Sequence, residues 1–156
     1  MFDVQTAELL QPGSALIVGS VAADGTPHAS RGWGLTVVPG SSTVRLLVDA
    51  DDSVLLANLT ATGAIAVSVC DVRTYRAVQL KGMADAPRPA DDPADVERGA
   101  EHVAAFFTAI HATEGTPIEL LERLAPAALA VCTITVTDVF EQTPGPSAGA
   151  PMTSRG

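Results

Sequence analysis

The sequence predicts a mainly β protein with peripheral helices, an α+β chain whose strands close, or half close, into a small antiparallel barrel. About six segments rich in branched residues are separated by short turns, and the Asp24-Gly25 turn joins two of them as a hairpin. The chain has 156 residues, of which 47% are hydrophobic, so it can bury one core of ordinary size. We therefore expect a single barrel domain over residues 1–141 and a Pro/Gly-rich tail without regular structure over 142–156.

The strands are predicted where branched residues lie between Gly, Pro, Asp and Ser turns, at 14–22, 27–38, 43–49, 64–70, 75–84 and 129–140. Helices are predicted at 3–10, 54–61, from 93 onward and at 117–124. Asp52 or Ser53 can cap the second helix, and Asp92 followed by Pro93 begins the longest one. This order places the helices around the barrel and leaves the hairpins to form its wall.

Composition limits the function classes. The net charge of -9 and a pI of about 4.5 oppose binding to a nucleic-acid backbone. The most apolar run, 14–21, is shorter than the roughly 20 residues of a membrane helix, and the first residues lack the basic start of a signal peptide. We therefore expect a cytoplasmic protein with no nucleic-acid or membrane partner.

No metal site is predicted. Cys70 and Cys132 lie far apart and belong to no paired spacing, which favours two buried, reduced thiols. His102 and His111 are predicted on opposite faces of the long helix, and His28 is predicted to be a solvated residue after a turn.

The strand after the first turn contains two glycines. Alternation along it puts Ser30, Gly32 and Gly34 on one face and Arg31 and Trp33 on the other. A face this bare lets a flat group approach the backbone closely; alternatively, the glycines bend the sheet at a barrel corner. Trp33 is expected to pack in the interior.

The segment 72–84 carries positively charged side chains and no carboxylate. Because the chain as a whole has a net negative charge, this locally positive segment indicates an anion site. Alternation separates Arg76 from Lys81, and Gln79 shares the face of Lys81. Gln79 can both donate to and accept from a ligand edge. For Lys81 the alternative is an ordinary solvated charge on an edge strand.

The order of elements and the segments 24–31, 53–68 and 75–82 resemble the pyridoxamine 5'-phosphate oxidase-like flavin-binding split barrels. The resemblance covers residues 8–86 and, more loosely, the last strand. It implies a six-stranded antiparallel split β-barrel, a homodimer with FMN in clefts between its subunits, and an oxidoreductase that acts on an unidentified small molecule.

The predicted cofactor contacts, combining that resemblance with the strand patterns, are Arg31, Gly32, Trp33, Gly34, Ser53, Arg76, Gln79 and Lys81. No catalytic residue is assigned. The helix start departs from the family pattern, because Leu55 replaces an expected basic residue and Asp51 and Asp52 would repel a phosphate. The phosphate is therefore expected to rely on the three cations of that set.

The tail also departs from the family, since residues 142–146 replace the arginine- and tryptophan-rich segment with which true pyridoxamine-phosphate oxidases bind substrate. That oxidation is therefore not expected. The alternatives are a deazaflavin- or haem-binding split barrel and a non-catalytic flavin-binding or structural dimer.

Overall fold

The computed structural model describes residues 2–152. Its strands, in chain order, are Ala15–Val21 (β1), Pro27–Val37 (β2), Thr43–Asp49 (β3), Ala64–Cys70 (β4), Ala77–Ala84 (β5), Arg88–Pro89 (β6) and Leu129–Glu141 (β7). Its helices are Val4–Leu9 (α1), Ser53–Ala61 (α2), Pro93–Glu114 (α3) and Ile118–Leu121 (α4), the last followed by a 3-10 turn at Glu122–Leu124.

Six strands form a closed antiparallel barrel in the order β3-β2-β1-β4-β5-β7, and pairing between β3 and β7 closes it. This confirms the predicted mainly β fold and the six-stranded barrel. The additional strand β6 has two residues and pairs with β7. It was not predicted, because a two-residue segment beside a proline carries no alternation to detect.

The barrel interior is filled by alternate residues of the strands, including Leu16, Val18, Leu35, Val44, Leu46, Val67, Val69, Leu80 and Ile134. Helix α2 adds Leu55 and Leu59 to this core. The Asn58 amide donates a hydrogen bond of 3.0 Å to the buried Ser20 hydroxyl, which satisfies two polar groups between α2 and the strands. The second half of α2 is thereby held against β1.

Helix α3 packs on the outside of β2. The Asp92 side chain accepts from the Ala94 N–H at its start, with Pro93 in the first turn, as predicted. A second apolar cluster lies beneath the helix, where Trp33 meets Phe107 edge to face with ring centroids 6.3 Å apart. Arg45 of β3 donates to the buried Asp95 carboxylate, 3.1 Å from Nε to Oδ1, and anchors the first turn of the helix.

Strand β5 begins at Ala77 instead of the predicted residue 75. Tyr75 has φ +60, and its N–H donates to the Asp71 carbonyl, so the chain is still turning there. The described part of the tail has no helix or named strand, but it folds back on β7. The Met152 N–H donates to the Val139 carbonyl at 2.7 Å. Within residues 2–152, no helix is long and apolar enough to cross a membrane.

Candidate functional site

The expected bare glycine face in β2 is wrong because a β-bulge interrupts the alternation. Gly32 pairs with Val48 and Gly34 with Leu47, so the strand gains a residue at Trp33. A Cβ on Gly32 would lie 2.8 Å from the Leu16 Cβ, in the barrel core, whereas one on Gly34 would meet the Leu47 side chain. The two glycines therefore face opposite sides, and both serve close packing.

A flat surface exists elsewhere, on the outside of five neighbouring strands. Residues paired directly in an antiparallel sheet lie on the same face, so the register defines rows that cross the wall. One row is Arg31, Ile17, Ser68, Gln79 and Phe140; the next is Ala29, Gly19, Ala66, Lys81 and Asp138. We call these ten residues the outer face. None of the ten is buried.

The centre of the outer face is made of small side chains. Gly19, Ala29 and Ala66 also line a groove of about 570 Å³, which continues past Ala64 to His28. Ile17 beside them is 45% exposed, although it is a large apolar residue. Small residues that project little from the sheet leave room for a planar group or for another backbone to approach.

Polar side chains lie at the rim of the outer face. The Gln79 Nε2 donates to the Ser68 hydroxyl at 3.1 Å, which leaves the Gln79 carbonyl oxygen as an acceptor. The Lys81 ammonium lies 4.8 Å from the centroid of the Phe140 ring, and the Arg31 guanidinium lies 5.6 Å from that of Phe106. The predicted sharing of one face by Gln79 and Lys81 is confirmed.

The three predicted phosphate anchors do not converge within one subunit. Arg31 and Lys81 lie on β2 and β5, three strands apart, which corresponds to about 14 Å between their backbones. Arg76 precedes β5 and lines a different pocket, beside Glu141. The pKa of Glu141 is lowered by hydrogen bonds from Thr143 and, to a smaller extent, by Arg76. Their roles in cofactor binding stay predictions.

Of the remaining predicted contacts, Gly32, Trp33 and Gly34 are buried, so a ligand on the surface would reach them only if the barrel rearranged. Ser53 is exposed as the first residue of α2, where it leaves the capping role to Asp52. The structure thus brings together Arg31, Gln79 and Lys81 on the outer face and separates them from the rest of the set.

The start of α2 is occupied by a carboxylate of the chain itself. Asp52 accepts from the Leu55 N–H at 3.0 Å, from the Ser30 hydroxyl at 2.5 Å and from the His28 Nε2 at 3.1 Å. Burial opposes ionisation of Asp52, but the hydrogen bonds from Ser30, Leu55 and His28 outweigh it and lower its pKa. His28 is half-buried and hydrogen-bonded to Asp52, so the prediction that it is a solvated residue is wrong.

This cluster decides whether FMN fits. A helix start favours a phosphate because its N–H groups are free, but here the Asp52 carboxylate already accepts from one of them, the Leu55 N–H, and Asp51 adds a second negative charge. The residues present therefore do not fit a phosphate at α2. The outer face does fit a flavin ring, since it offers a small apolar platform with an amide and a hydroxyl at its edge.

The sequence analysis missed the small residues of the outer face. A signal was present, because in β1 and β4 the positions between core residues are small or apolar instead of charged, at Ile17, Gly19, Ala64 and Ala66. No spacing linked Asp52 to His28 and Ser30, which are 24 and 22 residues away. Their contact depends on where α2 meets the β1–β2 hairpin.

The predicted placement of His102 and His111 on opposite faces of α3 is confirmed, whereas only one of the two cysteines is buried as predicted. His102 is buried and His111 is exposed, on opposite sides of α3. Cys132 is buried and Cys70 half-buried, and both thiols are free. Across residues 2–152, no group of three or more His, Cys, Asp or Glu side chains is arranged to hold a metal ion.

No protein-family model and no curated protein sequence matches this chain. Solved structures do. HupZ from Group A Streptococcus is 17% identical with a TM-score of 0.58, and the match covers 96% of this chain and all of HupZ. A structure described as a proposed pyridoxamine 5'-phosphate oxidase from Lactobacillus delbrueckii is 17% identical with a TM-score of 0.55, covering 89% and 93%.

HutZ from Vibrio cholerae, described as a haem storage protein, is 12% identical with a TM-score of 0.51, covering 88% of this chain and 92% of HutZ. At these identities the comparisons establish the fold and leave the ligand open. The chain therefore has the fold of the pyridoxamine 5'-phosphate oxidase-like split barrels, as its resemblance to them implied.

Proposed function

We propose that this protein is a homodimer, joined through the outer face, that holds a flavin ring between its subunits and acts as an oxidoreductase on a small molecule. The observation that carries the proposal is the outer face itself, two in-register rows in which the small residues Gly19, Ala66 and Ser68 lie between Arg31 on β2 and Gln79 and Lys81 on β5. The bound flavin would supply hydride or electron transfer, and the chain would supply position and shielding from water.

A second copy of the chain is the occupant that suits this surface electrostatically. The chain carries a net charge of -9, so two copies repel each other over most of their surfaces. The outer face carries Arg31, Lys81 and a single acid, Asp138, and is therefore locally cationic. A two-fold axis through it would bring like apolar centres together and allow each cation to meet the acid of the other subunit.

The rim residues have separate roles in this proposal. The hydrogen bond to Ser68 fixes the orientation of the Gln79 side chain. Its carbonyl oxygen can therefore accept a hydrogen bond from an N–H group at the edge of the ring. Arg31 lies in the same row, three strands away on β2, and can donate to a carbonyl of the ring. Ile17 between them would exclude water from the ring face.

The test compares the wild type with a matched pair of substitutions. Ala66→Glu places a charge at the centre of the outer face, whereas Ala100→Glu places the same charge on the exposed side of α3. Light scattering should give twice the 15.9 kDa chain mass for wild type and Ala100→Glu, and the chain mass for Ala66→Glu. Riboflavin fluorescence should be quenched by the two dimers only.

A monomeric wild type, or a dimer that Ala66→Glu leaves intact, would contradict the proposed interface. If the protein is a dimer but does not quench riboflavin fluorescence, the proposed interface stands and the proposed cofactor is wrong. Circular dichroism of both variants checks that the barrel itself is preserved.

Haem is a second candidate, favoured by one observation. His28 is one of the residues that border the groove, and its Nε2 is bonded to Asp52, a contact that fixes the imidazole and leaves Nδ1 as the nitrogen that could bind a metal. Haemin titration would then give a Soret shift that His28→Ala abolishes. A spectrum identical in both proteins would remove this candidate.

A further inference from the structure

We propose that Asp52 is a built-in substitute for a ligand's phosphate, so that this barrel selects a flavin lacking the phosphate, of the riboflavin type, over FMN. The inference rests on the proposed flavin function and adds the form of flavin that the site accepts. It follows from three features: the donors at the start of α2, the charges around them, and the position of His28.

Three donors that could bind a phosphate at this helix start are already used by Asp52. The Leu55 N–H, the Ser30 hydroxyl and His28 all point at the two oxygens of Asp52, over distances from 2.5 to 3.2 Å. Backbone N–H, hydroxyl and imidazole groups are the same set that binds phosphate oxygens at helix starts. A phosphate could bind there only by displacing Asp52 from all three.

The surrounding charges oppose a second anion. The first turn of α2 contains no basic residue, and two further acids precede it, Asp49 at the end of β3 and Asp51 in the turn that follows. Asp51 and Asp49 are themselves linked, since the Asp51 N–H donates to the Asp49 carboxylate at 2.9 Å. A phosphate would therefore meet three carboxylates within one short segment.

His28 connects this cluster to the proposed ring site. His28 borders the groove that Gly19, Ala29 and Ala66 share with the outer face, and its side chain, on the other face of β2 from Ala29, contacts Asp52 through Nε2. A ligand chain that leaves the groove past His28 would therefore meet the Asp52 carboxylate next. The neutral ribityl chain of riboflavin can hydrogen bond to that carboxylate, whereas a phosphate is repelled by it.

The experiment is a calorimetric titration of riboflavin and of FMN against four proteins. Asp52→Gly vacates the site and keeps a tolerated capping residue, while Asp52→Asn keeps the side chain and removes its charge. Asp51→Asn is the matched control, because it removes the same charge one residue away without touching Ser30 or His28. The wild type should bind riboflavin at least as tightly as FMN.

In Asp52→Gly, the ratio of FMN affinity to riboflavin affinity should rise about tenfold or more over that of the wild type. The rise should be smaller in Asp52→Asn than in Asp52→Gly, and it should stay below about threefold in the control Asp51→Asn. A wild type that prefers FMN tenfold, or a ratio that neither Asp52 variant changes, would overturn the inference.

A second measurement does not depend on flavin binding. Inorganic phosphate, compared with chloride at matched ionic strength, should raise the melting temperature of Asp52→Gly and leave that of the wild type unchanged. Equal stabilisation of both proteins would overturn the inference. If neither flavin binds the wild type, the proposed function fails, and the phosphate result still decides whether Asp52 blocks an anion site.

Discussion

His102 should make this protein lose stability as the pH falls, and the size of the loss can be worked from its surroundings. The side chain is 2% exposed, its ring stacks on Phe106, and its Nε2 has no hydrogen-bond partner. Burial, with a contribution from Arg98, lowers the pKa of His102 from 6.5 to about 4. The folded state therefore favours the neutral ring, and the unfolded chain takes up the proton first.

The stabilisation from the neutral ring is complete above pH 6.5 and is lost as the pH falls towards 4. Between pH 7.5 and 4.5, linkage with these two pKa values gives a loss of about 2.5 kcal/mol in the free energy of unfolding. The measurement is urea unfolding at both pH values for the wild type and His102→Phe, which has no titrating ring at this position.

The wild type should lose about 2.5 kcal/mol more than His102→Phe between those pH values. His111→Phe, a change at an exposed histidine of the same helix, should follow the wild type. Parallel losses in wild type and His102→Phe would refute the reasoning, because the acid sensitivity would then come from other groups.

Two further predictions concern the fold that supports the site. Arg45→Met should lower the free energy of unfolding by about 2 to 3 kcal/mol, because it leaves the buried Asp95 carboxylate unpaired. The control Arg123→Met, at an exposed arginine, should change the free energy of unfolding by less than about 0.5 kcal/mol. Equal effects in urea unfolding would show that the pair does not anchor α3. Gly82→Ala should cost more than about 3 kcal/mol, since its Cβ would overlap the Thr135 carbonyl oxygen. The control is Gly19→Ala, whose Cβ would have no neighbour closer than 3.9 Å and which should change the free energy of unfolding of the monomer by less than about 1 kcal/mol. A Gly82→Ala variant as stable as this control would contradict the close packing of Gly82 against β7.

The elements were predictable because strong local signals agreed with the tertiary structure. Asp24-Gly25 forms the turn it predicts, with Gly25 at φ +88, and Asp92-Pro93 begins α3. Gly63, at φ +67, follows the end of α2 as expected. Each of these residues decides its own backbone conformation, so no knowledge of distant contacts was needed.

The site was less predictable because it depends on register and on long-range contacts. One extra residue at Trp33 reverses the orientation of Gly34, and the two glycines, which fit either a bare face or a bend, did not by themselves decide between them. The bonds from His28 and Ser30 to Asp52 depend on where α2 meets the barrel, which the capping signal of Asp52 does not contain. Gln79 and Lys81 were placed correctly because strict alternation in β5 is uninterrupted.

If the outer face binds the ligand ring, amide chemical-shift mapping by NMR will locate the ring there. Addition of riboflavin should shift the amide signals of Gly19, Ala29, Ala66, Ser68 and Gln79, which lie on that face. The signals of Gly32 and Gly34, both buried in the packing of β2, should move much less. Shifts centred on Gly32 and Gly34, or on Thr6, Val139 and Met152 in the cavity between α1 and the tail, would contradict binding of the ring at the centre of the outer face.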